Sequence, residues 1–294
     1  MKPLSILSAL LLLATLHSSA QTDKWTPLFT PDLKNFDIFI GVPHTSLTSL
    51  PGVPKGDGMK GIPLGLNNDP LHVFTTEMVD GKPVLHISGE IYGGLSTKEE
   101  YGNYHLRIEF KWGTKQYEPK PKGARDGGMV YHAHDPQGQF WTAWMSGHNF
   151  QAEEKNLGHY YAFTSVGADI HARKIDTSKR SKWIYDPAAP LTHFAAMGTP
   201  TNSCTNSGDY EKPSGEWNTF DLYCFGDKSI HVVNGHVVMV LENSRSLSRT
   251  GSPGAYVITE TPLVKGKIQL QSEGGEAYYR NMEIVKIDKL PELN

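Results

Sequence analysis

Gly215-Glu216-Trp217-Asn218 opens a strand-like run, Phe220-Asp221-Leu222-Tyr223-Cys224. Its apolar residues fall on alternate positions, so Phe220, Leu222 and Cys224 share one face of an extended strand. A turn at Gly226-Asp227 follows, then Ile230-His231-Val232-Val233-Asn234-Gly235-His236-Val237-Val238. Asn-Gly between alternating apolar residues is the strongest short-range signal for a β-hairpin. The same pattern extends outward in both directions. Val84 to Ser88, His105 to Trp112, Met129 to His134 and Thr219 to Phe225 read as strands. So do Ser229 to Val233, His236 to Leu241, Lys267 to Gln271 and Ala277 to Ile287. No segment carries a long apolar stripe at helical spacing. Many short strands bounded by Gly, Pro, Asn or Asp predict an all-β sandwich or jelly roll. Two stretches, Gly41 to Pro70 and Asp169 to Lys212, lack periodicity and are expected as long loops rimming one sheet.

The first twenty residues stand apart from this pattern. Lys2 precedes an apolar stretch from Leu4 to Leu16, and Ser18-Ser19-Ala20 supplies small residues before Gln21. This is the pattern of a cleaved secretory signal peptide, so residues 21–294 are expected to form a single exported domain in the periplasm or outside the cell. No Cys follows the small residues, which argues against a lipid anchor. The remaining ~270 residues suffice for one large β domain with its own core. The formal net charge of −3 is dispersed. With no basic stripe, nucleic acid and anionic membrane surfaces are poor partners. Cys204 and Cys224 are the two cysteines. In an exported chain they could form a disulfide or remain as two thiols, one of them buried.

Strand parity picks out polar faces. In His148-Asn149-Phe150-Gln151-Ala152-Glu153, the side chains of Asn149, Gln151 and Glu153 share a face opposite Phe150 and Ala152. Gln269 and Gln271 do the same opposite Ile268 and Leu270, as do Arg107 and Glu109 opposite Leu106 and Ile108. Tyr131-His132-Ala133-His134-Asp135 places His132 and His134 two apart. Such a pair could ligate a divalent metal, contact a substrate, or supply a base near neutral pH. Aromatic clusters at Phe140-Trp141 and Tyr160-Tyr161 suit stacking on sugar rings. There is no phosphate-cradling GxxxxGK[ST], no GxGxxG after a strand and no GxSxG elbow.

The Gly215–Ile284 motifs, in their order, resemble the 3-keto-disaccharide hydrolase domain family. Gly93-Gly94-Leu95-Ser96-Thr97, Tyr101 to Phe110 and Arg125-Asp126-Gly127-Gly128-Met129-Val130-Tyr131-His132 extend the resemblance upstream. It implies a two-sheet antiparallel jelly-roll sandwich of the concanavalin A-like lectin and glucanase type, with a face that holds a carbohydrate. The family usually carries Glu where Asn149 stands and, in many members, Arg where His132 stands. A paired-carboxylate displacement needs two carboxyl groups on one groove, and Asn149 removes one of them. The implied activity is cleavage of a 3-keto glycoside by elimination and hydration, which needs one base rather than two. The candidates are Glu153 and His132 as base, with Arg280, Gln271 or a divalent metal stabilising the enolate. Asn149, Gln151, Gln271, Glu109, His134, Trp141 and Tyr160 are the expected substrate contacts. The alternatives are a glycan-binding module without catalysis and a laminarinase-like glycosidase.

Overall fold

A computed structural model describes residues 24–176, 181–199, 201–252 and 255–292. The expected signal peptide lies outside the described residues. Among these residues all regular structure is β, arranged as two antiparallel sheets. One has eight strands. Its central strands run in the order His159–Phe163, Ser146–Gln151, Gly127–His134, Lys267–Ser272, Gly93–Thr97 and Phe36–Ile40. The other has twelve and is centred on Lys228–Val233, Asn218–Phe225, Tyr104–Gln116 and Gly275–Lys286. The chain is therefore a jelly-roll sandwich, as the alternation predicts.

Alternation sets the layers. Met129, Tyr131, Phe150, Ile268 and Leu270 from the smaller sheet meet Leu106, Ile108, Phe110, Phe220 and Leu222 from the larger one. These buried side chains form the core between the sheets. Each fully buried aliphatic or aromatic side chain contributes roughly 1.5–3 kcal/mol relative to exposure. A separate apolar cluster, with Tyr92, Val130, Trp144 and Phe163, covers the outward face of the eight-stranded sheet.

The quiet stretch after Asp169 is not a loop. Val166–Asp176, Ser181–Tyr185 and Leu191–Ala195 pair as strands at one end of the larger sheet. Its apolar alternation is short, running through Ala168, Ile170 and Ala172, and it ends where Arg173 and Lys174 are both exposed. The Gly41–Pro70 stretch is irregular as expected, apart from a two-residue strand at Gly65–Leu66. Both cysteines are buried and unpaired. Cys224 lies in the core between the sheets, and Cys204 lies in a second core under the 166–195 strands. No bridge ties the loop to the sheet.

Candidate functional site

The site is built on the outward face of the eight-stranded sheet. Pairing fixes its rows. Gly128 pairs with Gln151 on one side and with Gln271 on the other, and Gln271 pairs with Gly94. His159 pairs with Gln151 and extends this row to the next strand. Asn149, Val130, Gln269 and Ser96 form the adjoining row. The glycines have a steric reason. A Cβ on Gly94 would come within 2.3 Å of Gln269 Nε2, and one on Gly128 within 2.4 Å of the Phe150 carbonyl oxygen. Gly128 also holds φ at +132°, a conformation that strains any other residue.

Two buried carboxylates converge above this floor. Lys120 Nζ donates to Asp126 Oδ2 and lies 3.5 Å from Glu273 Oε1. Gln151 Nε2 donates to Asp126 Oδ1, and Asn149 Nδ2 donates to Gln151 Oε1. The Gly127 N–H adds a bond to Asp126 Oδ1 at 3.1 Å. On the far side Gln271 Nε2 donates to Glu273 Oε2 at 3.3 Å. An unbroken hydrogen-bonded and ionic chain thus runs from Asn149 to Gln271 through Gln151, Asp126, Lys120 and Glu273. A cavity of about 190 Å³ opens onto Lys120, Asp126, Gln151 and Glu273, with Trp141 and Phe163 among its walls.

Burial drives the electrostatics. It pushes the Asp126 carboxyl up, against the pull of the Lys120 ammonium. Glu273 is driven well above the ordinary carboxylate range, first by burial and then by the neighbouring Asp126 charge. Burial opposes the charge on Lys120, yet Glu273 and Asp126 outweigh it and hold the ammonium. Asp126 accepts from Lys120, Gln151 and the Gly127 N–H, whereas Glu273 accepts from Gln271 at 3.3 Å and has Lys120 at 3.5 Å. The arrangement favours an ionised Asp126 and a protonated Glu273, an acid and a base on one lysine.

The structure sorts the expected site residues into three groups. Gln151, Glu153 and Trp141 line the cavity, whereas Asn149 and Gln271, expected as substrate contacts, are fully buried behind it and hold Gln151 and Glu273. Glu153 stands at the cavity rim, where the His159 imidazole beside it holds its carboxyl below the usual range. Trp141 is 42% exposed and stacks on Phe140 at 4.9 Å. His132 and Tyr160 point the other way. A bulge between Tyr131 and His134, with His132 at φ 47°, breaks the alternation. It turns the His132 ring into the space between the sheets, against Tyr104, Tyr131 and His148. Burial lowers the His132 pKa to about 4. Tyr160 is paired with Phe150 and shares its inward face, and its hydroxyl lies 3.0 Å from His148 Nδ1. Tyr161, paired with Asn149, takes the groove position instead.

His134, Arg280 and Glu109 lie elsewhere. His134 donates from Nδ1 to the His132 carbonyl at 3.0 Å and borders a different cavity, with Asp37, Gln137 and Lys267. Arg280 pairs with Glu109 on the outward face of the twelve-stranded sheet and stacks 4.0 Å over the Trp217 ring. That face is on the opposite side of the sandwich from the cavity, so neither residue reaches it. The expected histidine metal pair is also undone, because His132 and His134 face different surroundings. Among the described residues no three His, Cys, Asp or Glu side chains converge as a metal centre. The positive charge between Asp126 and Glu273 is the Lys120 ammonium.

Asp126, Glu273 and Lys120 are the residues that sequence reasoning missed. Two carried a signal. Parity along Gln269 and Gln271 extends to Glu273, and parity along Val130 and Gly128 extends back to Asp126. Lys120 lies in an irregular proline-containing loop and has no such signature.

The chain is similar to a candidate glycosyl hydrolase from Parabacteroides distasonis at 18% identity and a TM-score of 0.44, covering 90% of this chain and 100% of that one. It is similar at 8% identity and a TM-score of 0.38 to a carbohydrate-binding module from Bacillus subtilis, over 72% of this chain and 91% of the other. A Bacillus licheniformis β-glucanase matches at 10% identity and a TM-score of 0.33, over 72% and 82% of the two chains. None of the curated proteins matches. Residues 24–285 match the 3-keto-α-glucoside-1,2-lyase-like domain, and the chain belongs to that family.

Proposed function

We propose that this protein cleaves the glycosidic bond of a 3-keto glycoside by elimination, with hydration of the product giving net hydrolysis. The observation that carries the proposal is the pair of buried carboxylates, Asp126 and Glu273, on the single ammonium of Lys120. A ketone at C3 acidifies the C2 proton, so one carboxylate base suffices to start the reaction. Asp126, ionised and oriented by Gln151, takes that proton. Lys120 and the protonated Glu273 stabilise the negative charge that develops on the C3 oxygen. Collapse of the enolate forms the C1–C2 double bond and expels the C1 substituent. Gln151 and Gln271 position the acid pair, and Asn149 positions Gln151. Charge stabilisation is assigned to Lys120, so a divalent metal has no step in this scheme. The sugar-facing wall is aromatic, with Trp141 at the mouth.

The test is a pair of substrates, a 3-keto glucoside and the same glucoside unoxidised. Release from the first alone supports elimination. Release from the unoxidised glucoside contradicts it. Asn149, in place of the usual Glu, favours a second reading as a glycan-binding module. Trp141, 42% exposed at the cavity, offers a sugar ring a face to stack on. Measurable sugar binding with release from neither substrate would establish that reading. We place the enzyme outside the cytoplasm on the strength of Lys2, the Leu4–Leu16 run and Ser18-Ser19-Ala20.

A further inference from the structure

A second cavity of about 280 Å³ adjoins the first, and Glu153, Tyr161 and Asn202 border both. Its far wall comes from the strands after Asp169, through Trp183 and Thr205. Thr205 is locked there by its N–H on the Trp183 carbonyl at 2.9 Å and its carbonyl on the Tyr185 N–H at 2.8 Å. His159 stands between the floor and this wall. Its Nε2 lies 3.1 Å from Thr205 Oγ1, and its Nδ1 faces Glu153 Oε2 at 3.7 Å. Asn156 Nδ2 donates to the same Glu153 oxygen at 3.0 Å. His159 is therefore oriented by Thr205, with the Glu153 carboxylate close to an Nδ1 that makes no hydrogen bond, and it is itself buried. In the sheet it pairs with Gln151, the residue that holds Asp126. The Glu153–His159 pair thus lies at the junction of the cavities, on the other side of Gln151 from the acid pair.

Cleavage at C1 leaves one task that Asp126, Lys120 and Glu273 do not perform. When the C1–O bond breaks, its electron pair leaves on oxygen, and an alkoxide leaving group needs a proton at that moment. We infer that Glu153 and His159 together are the acid that protonates the departing oxygen, and that the second cavity seats the hydroxyl-bearing leaving group. The inference rests on the elimination reading of the first cavity. In balance, the C2 proton goes to Asp126, the C2–H electrons become the C1–C2 double bond, and the C1–O pair takes a proton from the Glu153–His159 pair. That pair is reprotonated from solvent through the second cavity, and Asp126 returns its proton to solvent after product leaves.

The prediction separates leaving groups by their need for a proton. A methyl 3-keto glucoside has a basic leaving group, and a 4-nitrophenyl 3-keto glucoside has one that departs unprotonated. H159Q should lower kcat/KM on the methyl substrate by roughly 10²–10⁴-fold and on the nitrophenyl substrate by less than about tenfold. D126N should lower both by roughly 10²–10⁴-fold. An equal loss on both substrates in H159Q, or no loss on either, overturns the assignment of the leaving-group acid while leaving the elimination reading in place. Failure of the unmodified protein to cleave either 3-keto glycoside overturns the elimination reading, and the acid assignment falls with it. Should H159Q fail to fold, E153Q carries the same comparison, since the Glu153 side chain is 31% exposed and its removal leaves the core intact.

Discussion

Glu273 and Asp126 are ionisable residues placed where burial penalises charge, and the arrangement predicts how each substitution behaves. E273Q and K120M should each reduce turnover of a 3-keto glycoside by roughly 10²–10⁴-fold with substrate binding largely kept, measured by steady-state kinetics beside calorimetric titration. K120M carries a second expectation. It leaves the buried Asp126 carboxylate without its cation, and because the Lys120 side chain is 40% exposed, solvent screens part of the loss and the urea midpoint should fall modestly. R280A is the contrasting case. Its side chain lies across the sandwich, paired with the partly exposed Glu109. Activity should be unchanged, and stability should fall by no more than about 1 kcal/mol for the ion pair. Loss of activity in R280A would show that the groove has been placed on the wrong sheet. The groove side of Asn149, Gln151 and Gln271 was legible from parity alone. His132 was not, because one bulge residue at positive φ reverses the face of everything it displaces. Tyr160 and Tyr161 are adjacent aromatics, and only the pairing register with Phe150 and Asn149 says which of them faces out.

At the level of the strands, the close approach of neighbours explains the glycines and predicts their intolerance. Gly128 separates Gln151 from Gln271 in one row of the sheet. G128A would press a methyl group into the Phe150 carbonyl and force φ +132° on a residue with a Cβ. A destabilisation of about 1–3 kcal/mol or more is expected, read from thermal or urea unfolding. G226A, at a turn where an added Cβ meets nothing within 4 Å, should cost less despite its positive φ. The strands carrying Phe220, Leu222, Ile268 and Leu270 were plain in the sequence because polar residues alternate with apolar ones along each. The strands after Asp169 were not. They pair at the end of a sheet, where charged side chains occupy one face and the apolar residues Ala168, Ile170 and Ala172 on the other are small or few. Element boundaries near Asp126 and Glu273 fell outside the alternating runs, which is why both acids went unread.

For the molecule as a whole, the space between the sheets holds three buried histidines, His132, His148 and His231. Burial lowers His132 and His231 to about 4 and His148 well below its ordinary value. The sign follows directly. Between about pH 6.5 and pH 4 the unfolded chain binds protons at these sites and the folded chain does not, so stability is full above 6.5 and falls as the solution is acidified through that window. H132N removes one such site, and Asn tolerates the positive φ. Between pH 7 and pH 5 the variant should lose roughly 2 kcal/mol less than the unmodified protein, measured as urea midpoints at the two pH values. Identical losses would show that His132 does not remain neutral in the fold. Unfolding itself is expected as a single transition, because one core joins both sheets. The central claim is that C1–O cleavage begins with loss of the proton on C2. It is tested most directly with a 3-keto glucoside carrying deuterium at C2, turned over in ordinary water, with the mass of the released sugar product read beside a no-enzyme control. The elimination account predicts a product that has lost the deuterium in step with bond cleavage, and retention of the deuterium at C2 would contradict it.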